Sequence, residues 1–311
     1  VTDSFDKDEY LKVAYYYYKS GMRQQEIAKK MAMSRQRVSR ILKRCIETGI
    51  VKIIFQENEN RNVEFETQLE KVLNLNEIII TYSQNNDIKQ AIGVAVSSYL
   101  GRVIKDNDII GFSGGETLSR IVSCLVPIDR KNLTVIQLIG GLNSDNAHHS
   151  SDYFVRHTGE ILNAKPYLMY APIIVENKQL RDSMLNESFL SQVFNMMKKC
   201  TVALIGIGEI EGFVGMNLIS EEEYSLLQRK NAVGEVCTHF FDINGKIIES
   251  SINDRMFAID HNSFKKIPLR VGVGGGSEKI PAILGAVRGG LINVLITDYD
   301  TAKLLDQMHK S

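Results

Sequence analysis

A chain of 311 residues, 44% of them hydrophobic, can bury a substantial core and form two domains. It has no low-complexity tract, no N-terminal apolar signal region and no apolar run near the roughly 18 residues of a membrane span, so it is expected to be a folded cytoplasmic protein without a membrane partner. The formal net charge of zero conceals an asymmetry, because residues 1–56 carry 12 Lys and Arg against 6 Asp and Glu, whereas residues 57–311 carry 25 against 31. A basic head on an acidic body suits a protein whose head alone meets nucleic acid.

The first pattern, Asp8 to Ser20 (DEYLKVAYYYYKS), predicts a supporting helix with Tyr10 or Leu11, Ala14 and Tyr18 on its apolar face. Tyr15 to Tyr18 encircle that helix; at least two rings are expected in the core, and the others must meet solvent, the second domain or another subunit. A short amphipathic helix follows, with Ile27, Ala28 and Met31 on one face. Ala32 occupies the turn where Gly is commonest, at a cost of roughly 1 kcal/mol if its backbone is left-handed. Ser34 is the expected N-cap of a second helix with Val38, Ile41, Leu42 and Cys45 as its buried stripe and Gly49 as its C-cap. The side chains left outside are Arg35, Gln36, Arg37, Ser39, Arg40, Lys43 and Arg44, which combine phosphate binders with groups able to read base edges in a major groove. The β-branched run Ile50 to Phe55 would form a strand of a small wing or a connector. The whole reads as a helix-turn-helix, with operator DNA as partner and salt-sensitive binding.

Gln56 to Asn62 (QENENRN) is the candidate linker, giving a DNA-binding domain over residues 1–56 and a second domain over 57–311. A helix through Leu73 opens the second domain, and short β-branched runs then alternate with helical segments. Strands are expected at Glu77–Tyr82, Asp108–Ser113, Thr134–Ile139, Tyr167–Tyr170, Thr201–Ile207, Val236–Asp242, Leu269–Val273 and Asn293–Thr297. Helices are expected at Ile88–Val103, Thr117–Leu125, Leu185–Lys199, Glu221–Lys230, Glu278–Val287 and Thr301–His309. Continuous apolar runs such as VIQLI and VALIGIG indicate strands covered on both faces, hence an α/β fold with a mostly parallel sheet. Asn244-Gly245 marks a β-hairpin within FFDINGKII.

Ligands of such sheets collect beyond the carboxyl ends of the strands. Glycines stand at four such points: Gly111-Phe-Ser-Gly-Gly-Glu-Thr117, Gly140-Gly141, Gly206-Ile-Gly208 and Gly272-Val-Gly-Gly-Gly-Ser-Glu-Lys279, where Gly275 and Lys279 are candidate ligand contacts. Small residues there let backbone N–H groups point at an anion. Neither nucleotide fingerprint is met: Ser277 and Glu211 stand where a dinucleotide loop has its third Gly, and no Gly-Lys-Ser/Thr closes a phosphate loop. No dinucleotide or ATP cofactor is therefore expected, and a smaller phosphorylated molecule fits better.

Cys45, Cys124, Cys200 and Cys237 are widely spaced in apolar surroundings and read as reduced core thiols, without zinc spacing. Asp145, His148, His149 and Asp152 share a polar loop that is better read as solvated than as a metal site. His239 lies in a strand pattern and is expected to be a satisfied side chain near the pocket; Asp298 reads as a helix N-cap.

The helix-turn-helix followed in order by GFSGGETL, VIQLIGGL, LIGIG, AVGEVCTHFFDINGK and VGVGGGSEKIPAILGAVRGGLINVLITD resembles the SorC family of bacterial transcriptional regulators over nearly the whole chain. The resemblance implies a Rossmann-like effector domain similar in fold to sugar-phosphate isomerases and deaminases, a phosphorylated sugar or polyol as effector, and a homodimer or homotetramer. It places Ser113, Gly114, Gly115, Glu116 and Thr117 around the phosphate, with Gly141 close by. Glu235 and Asp242 would accept from sugar hydroxyls, and Lys279 would offer its ammonium to phosphate or sugar oxygen. Glu116 stands where family members frequently have Arg, and Gly114 where a large side chain is common.

Two functions compete: a ligand-responsive regulator, and a sugar-phosphate isomerase or deaminase carrying a DNA-binding head, with Glu235 or Asp242 as general base. The intact recognition helix favours the regulator, without catalytic residues, metal or cofactor.

Overall fold

The computed structural model describes residues 7–54, 63–83, 87–142 and 151–310, apart from the side chains of residues 309 and 310. The chain divides into two compact units, Val1–Glu57 and Asn58–Ser311.

In the first unit, α1 (Lys7–Ala14) runs into a π-helical turn at Tyr15–Lys19, and α2 (Gln24–Lys30) and α3 (Arg35–Glu47) follow. Val13, Ala14, Ile27, Ala28, Val38, Ile41, Leu42 and Cys45 form one buried cluster, so the expected stripe of α3 is the core of this unit. The π turn inserts an extra residue into the helical register. It therefore turns Tyr18 away from the face that Ala14 occupies: Tyr15, Tyr17 and Tyr18 are exposed, and only Tyr16 of the run packs on the core. Leu11 is likewise exposed. Ala32 is left-handed, at φ 51°. Ser34 Oγ accepts from Arg37 N at 3.1 Å, the expected cap, which is worth about 1 kcal/mol. Thr48 ends α3, and Gly49, at φ +74°, is the left-handed residue just beyond it. No strand forms over residues 50–54: Ile50 and Val51 pack back on the core instead, and Phe55 lies outside the described residues, as does the linker Gln56–Asn62.

The second unit opens with α4 (Val63–Leu73), followed by β1 (Glu77–Thr81), α5 (Ile88–Val103), β2 (Ile109–Phe112), α6 (Glu116–Cys124), β3 (Thr134–Gln137), α7 (Ser151–Leu162) and β4 (Lys165–Tyr167). The chain continues through α8 (Lys178–Leu185), α9 (Ser188–Met197), β5 (Val202–Gly206), α10 (Glu211–Gly215), α11 (Glu221–Arg229), β6 (Ala232–Val236) and β7 (His239–Asp242). It closes with α12 (His261–Lys265), β8 (Leu269–Val273), α13 (Ile280–Arg288), β9 (Val294–Asp298) and α14 (Tyr299–Lys310). Seven strands form one sheet in the order β1-β9-β8-β5-β2-β3-β4, every pair parallel. Separate apolar clusters cover its two faces, as the uninterrupted hydrophobic strands require. At the sheet's β1 edge, Glu70 and Glu66 of α4 accept from the N–H groups of Ile78 (3.0 Å) and Ile80 (2.9 Å), occupying donors that an edge strand would otherwise present.

The expected strand Val236–Asp242 is two strands. β6 and β7 pair antiparallel through a turn at Cys237 and Thr238, which sit at φ 47° and 65°. Two consecutive left-handed residues define the tight hairpin turn that Asn-Gly usually makes. The Asn244-Gly245 pair does turn the chain, with Gly245 at φ +77°, but only a single bridge, Phe241 to Ile247, follows it.

Candidate functional site

On α3 of the first unit, Arg35, Gln36, Ser39, Arg40, Lys43 and Arg44 are exposed, because the buried stripe commits the opposite face to the core. Arg37 is different: its guanidinium pairs with Glu9 of α1 at 3.0 Å and is half-buried, so it braces the two helices. Glu47 accepts from Arg44 at 3.2 Å and lies 4.0 Å from Lys43, which draws both cations toward the C-terminal end of α3. Arg35, Gln36, Ser39 and Arg40 stand exposed on the N-terminal half of the helix.

In the second unit the chain proceeds from β2 outward to β3 and β4, then returns to β5 and continues the other way to β8 and β9. The loops after β2 and β5 therefore diverge, and a crevice opens at the point where strand order reverses. A cavity of about 510 Å³ occupies it. Ser113, Gly114, Gly115, Glu116, Thr117, Glu235, Gly275 and Lys279 all line this cavity.

The loop after β2 is built to leave a helix start open. Gly115, at φ 112°, is the N-cap residue of α6 and has no side chain to cap it; the first helical hydrogen bond is Ser119 N to Gly115 O. The preceding N–H groups and the positive end of the helix dipole favour an anion there. Ser113 is committed in part to structure, because its Oγ accepts from Gly206 N at 2.9 Å and ties the end of β2 to the end of β5; its hydroxyl proton remains available to donate. The Glu116 carboxylate is paired with Lys89 of α5, Oε1 to Nζ 2.6 Å.

Opposite lies the hairpin turn. Glu235 is half-buried; its Oε2 accepts from Thr238 N at 2.8 Å, and its backbone pairs with Gly208 in both directions at 3.0 Å. A side chain at Gly208 would meet the Glu235 carboxylate, which would have to shift to admit it. Burial pushes the Glu235 carboxyl up to about 7, with the Thr238 hydrogen bond and the charge of Lys279 opposing it. Burial also raises Glu209, again opposed by Lys279. Left-handed backbone at Cys237 and at the β-branched Thr238 costs of order 1–3 kcal/mol each and lies on the cavity wall, which is where such strain concentrates.

Two expected ligand residues lie elsewhere. Asp242 Oδ1 accepts from Asn244 N and Lys246 N, both at 2.9 Å, so it closes the Asn244-Gly245 turn and is not in the cavity wall. Gly141 exchanges backbone hydrogen bonds with Ala171 and Ile173, at 2.8 Å each, and its neighbour Leu142 reaches the cavity in its place. Lys89, Glu209, Cys237, Thr238 and Glu278 line the cavity without having been singled out from the sequence as ligand contacts. The Gly-x-Gly-Glu and Ser-Glu-Lys runs hinted at Glu209 and Glu278; nothing in the sequence pointed to Lys89.

Of the polar loop, Asp145, His148 and His149 lie outside the described residues, and Asp152 is in the first turn of α7. Among the described residues no His, Cys, Asp or Glu cluster could hold a metal ion, and no helix is long and apolar enough to cross a membrane. His239 Nε2 pairs with Ile259 O at 2.9 Å; burial lowers its pKa to about 4, and it is not in the cavity wall. Asp298 caps α14, its Oδ1 accepting from Thr301 N at 3.0 Å.

A family described as "Putative sugar-binding domain" matches residues 57–305, and one described as "Winged helix-turn-helix DNA-binding" matches residues 15–52. The deoxyribonucleoside regulator of Bacillus subtilis is 30% identical over 301 residues, covering 95% of this chain and 96% of that protein. The sorbitol operon regulator of Klebsiella pneumoniae is 28% identical over 303 residues, covering 95% and 96%. The crystal structure of that full-length regulator superposes with a TM-score of 0.76 at 27% identity, over 97% of this chain and 99% of that one. A transcriptional regulator from Streptococcus pneumoniae covers 80% of this chain and 98% of its own, with a TM-score of 0.75 at 26% identity. The cavity at the strand-order reversal thus lies in a sugar-binding domain, the exposed basic helix in a DNA-binding one, and the chain belongs to the SorC family of bacterial transcriptional regulators.

Proposed function

We propose that this chain regulates a carbohydrate or polyol catabolic operon and that a phosphorylated sugar or polyol in the cavity controls its hold on operator DNA. The observation that carries the phosphate is the glycine-capped, open start of α6 on the cavity wall, in a site that also contains two lysines. The hydroxyl end of the effector meets Glu235, whose carboxyl near 7 can accept from or donate to a sugar hydroxyl. Two heads of a homodimer or homotetramer insert their α3 helices in successive major grooves, and the effector shifts the population of subunit arrangements that permit this. The names of the relatives, a deoxyribonucleoside regulator and a sorbitol operon regulator, agree with a small sugar or polyol as the signal.

The isomerase or deaminase alternative is weakened at one of its two candidate bases, since Asp242 is consumed in a turn. The test is thermal stability of the purified chain against sugar and polyol phosphates, each beside its unphosphorylated parent. Selective binding to the native state raises the melting temperature by mass action. A rise with one phosphorylated compound and none with its parent is expected; no rise across a broad panel would contradict the phosphate. Turnover of a hexose or pentose phosphate at an ordinary enzymatic rate would contradict the regulator.

A further inference from the structure

The loop that opens α6, Gly111 to Ser119, contains no Lys or Arg and places Glu116 in the first helical turn. An anion at this helix start would meet favourable N–H groups but also a carboxylate, and a phosphate dianion would be repelled by it. The charge that offsets this comes from a different element. Lys89 stands in the first turn of α5, whose backbone is fixed by the Asp87 cap, Oδ1 accepting from Gln90 N at 3.0 Å. From there its ammonium reaches Glu116 at 2.6 Å, and both residues line the cavity.

Resting on the phosphate reading above, we propose that Lys89 is the cation that receives the effector's phosphate, and that Glu116 holds it at the glycine loop until the phosphate arrives. The Lys89 and Glu116 side chains are 44% and 55% exposed. An ion pair in that setting contributes little to stability, so trading the carboxylate for a phosphate costs little. The incoming dianion gains more than it displaces, because it meets both the ammonium and the N–H groups of the α6 start.

The second lysine of the cavity, Lys279, stands on a different element, at the start of α13. Lys279 acts electrostatically on Glu235 and Glu209, the carboxylates of the opposite wall. On this proposal Lys89 serves the phosphate end of the effector from α5, and Lys279, which lines the same cavity as Glu209 and Glu235, serves the hydroxyl end. Glu116 sets how strongly the phosphate end binds, since it competes for the same ammonium and repels the second negative charge.

The experiment titrates the full chain at constant ionic strength with inorganic phosphate and with glucose 6-phosphate, ribose 5-phosphate and sorbitol 6-phosphate, reading apparent affinity from the melting temperature. The wild type tests the phosphate reading: stabilisation by none of the four probes overturns it, and the role of Lys89 with it. The variants test Lys89 on every probe that stabilises the wild type. Lys89→Met weakens binding about tenfold or more, Lys89→Arg restores most of it, and Glu116→Gln tightens it. Lys279→Met weakens inorganic phosphate less than Lys89→Met does. If Lys89→Met binds these probes as the wild type does, or if Glu116→Gln weakens them, the assignment of Lys89 is wrong while the phosphate reading stands. Lys89 is only half-buried, and a melting temperature without ligand equal to that of the wild type shows that the variant is folded.

Discussion

On the function proposed for this chain, the two units carry it in opposite ways. The head presents it on the outside of one helix, where the residues between Arg35 and Arg44 follow one another at helical spacing and the fold supplies little beyond a buried back face. The sugar-binding unit gathers it from five separated segments, around residues 89, 113–117, 206–209, 235–238 and 275–279, which meet only because a parallel sheet reverses its strand order between β2 and β5. A surface function of the first kind tolerates loss of a single contact in proportion to that contact. An assembled cavity of the second kind depends on sheet, hairpin and helix starts together, and it can be altered without touching the head.

That contrast can be broken or sharpened at several positions. The largest effect is expected from Ile41→Ala in the head core: truncating this buried side chain costs about 2–5 kcal/mol, which a unit this small can scarcely absorb. DNA binding should be lost while a sugar phosphate still raises the melting temperature of the second unit. Loss of both in calorimetry and ligand titration would show that the units do not fold separately.

Arg40→Ala should come next, weakening operator binding by about 1–3 kcal/mol with effector affinity retained, as measured by fluorescence anisotropy and ligand titration. Arg37→Ala is the control that sharpens it. Because Arg37 braces α1 through Glu9, it should lower head stability more than base discrimination; a change of sequence preference would place it at the DNA instead.

The cavity has its own signature in pH. The Glu235 carboxyl, held near 7 by burial, keeps its proton in the folded state while the unfolded chain loses it near the ordinary carboxylate value. The unfolded state then binds fewer protons, so the stability owed to this group falls as pH rises from about 4.5 to about 7 and levels off above. Melting curves across that window should fall more steeply for the wild type than for Glu235→Gln; identical slopes would remove Glu235 as the titrating group. The smallest effect is that of Ser34→Ala, about 1 kcal/mol from the lost cap on Arg37 N, seen as a modest drop in head stability and a parallel weakening of DNA binding.

The same contrast explains what could be read from the sequence. The stripe Val38, Ile41, Leu42 and Cys45 and the cap at Ser34 are local, and both stand in the structure where periodicity put them. Buried strands such as β5 and β8 were legible because covering both faces forces uninterrupted apolar runs. The hairpin at Cys237-Thr238 was not, because neither residue is of a type that favours left-handed backbone, and the one familiar turn signal nearby, Asn244-Gly245, marks a different turn. The π turn at Tyr15–Lys19 likewise leaves no mark in composition, so helical counting put Tyr18 inside. Lys89 has no motif around it and stands well before the glycine loop in the chain; only the packing of α5 against α6 brings it to Glu116.

The measurement that bears most directly on the central claim is DNA affinity of the full chain, on DNA from its own operator, with and without the sugar phosphate that stabilises it. The account predicts that the phosphorylated compound changes that affinity, by about 5–150-fold if the coupling is of ordinary allosteric size, and that its unphosphorylated parent does not. A compound that fills the cavity and raises the melting temperature yet leaves DNA affinity unchanged would contradict it.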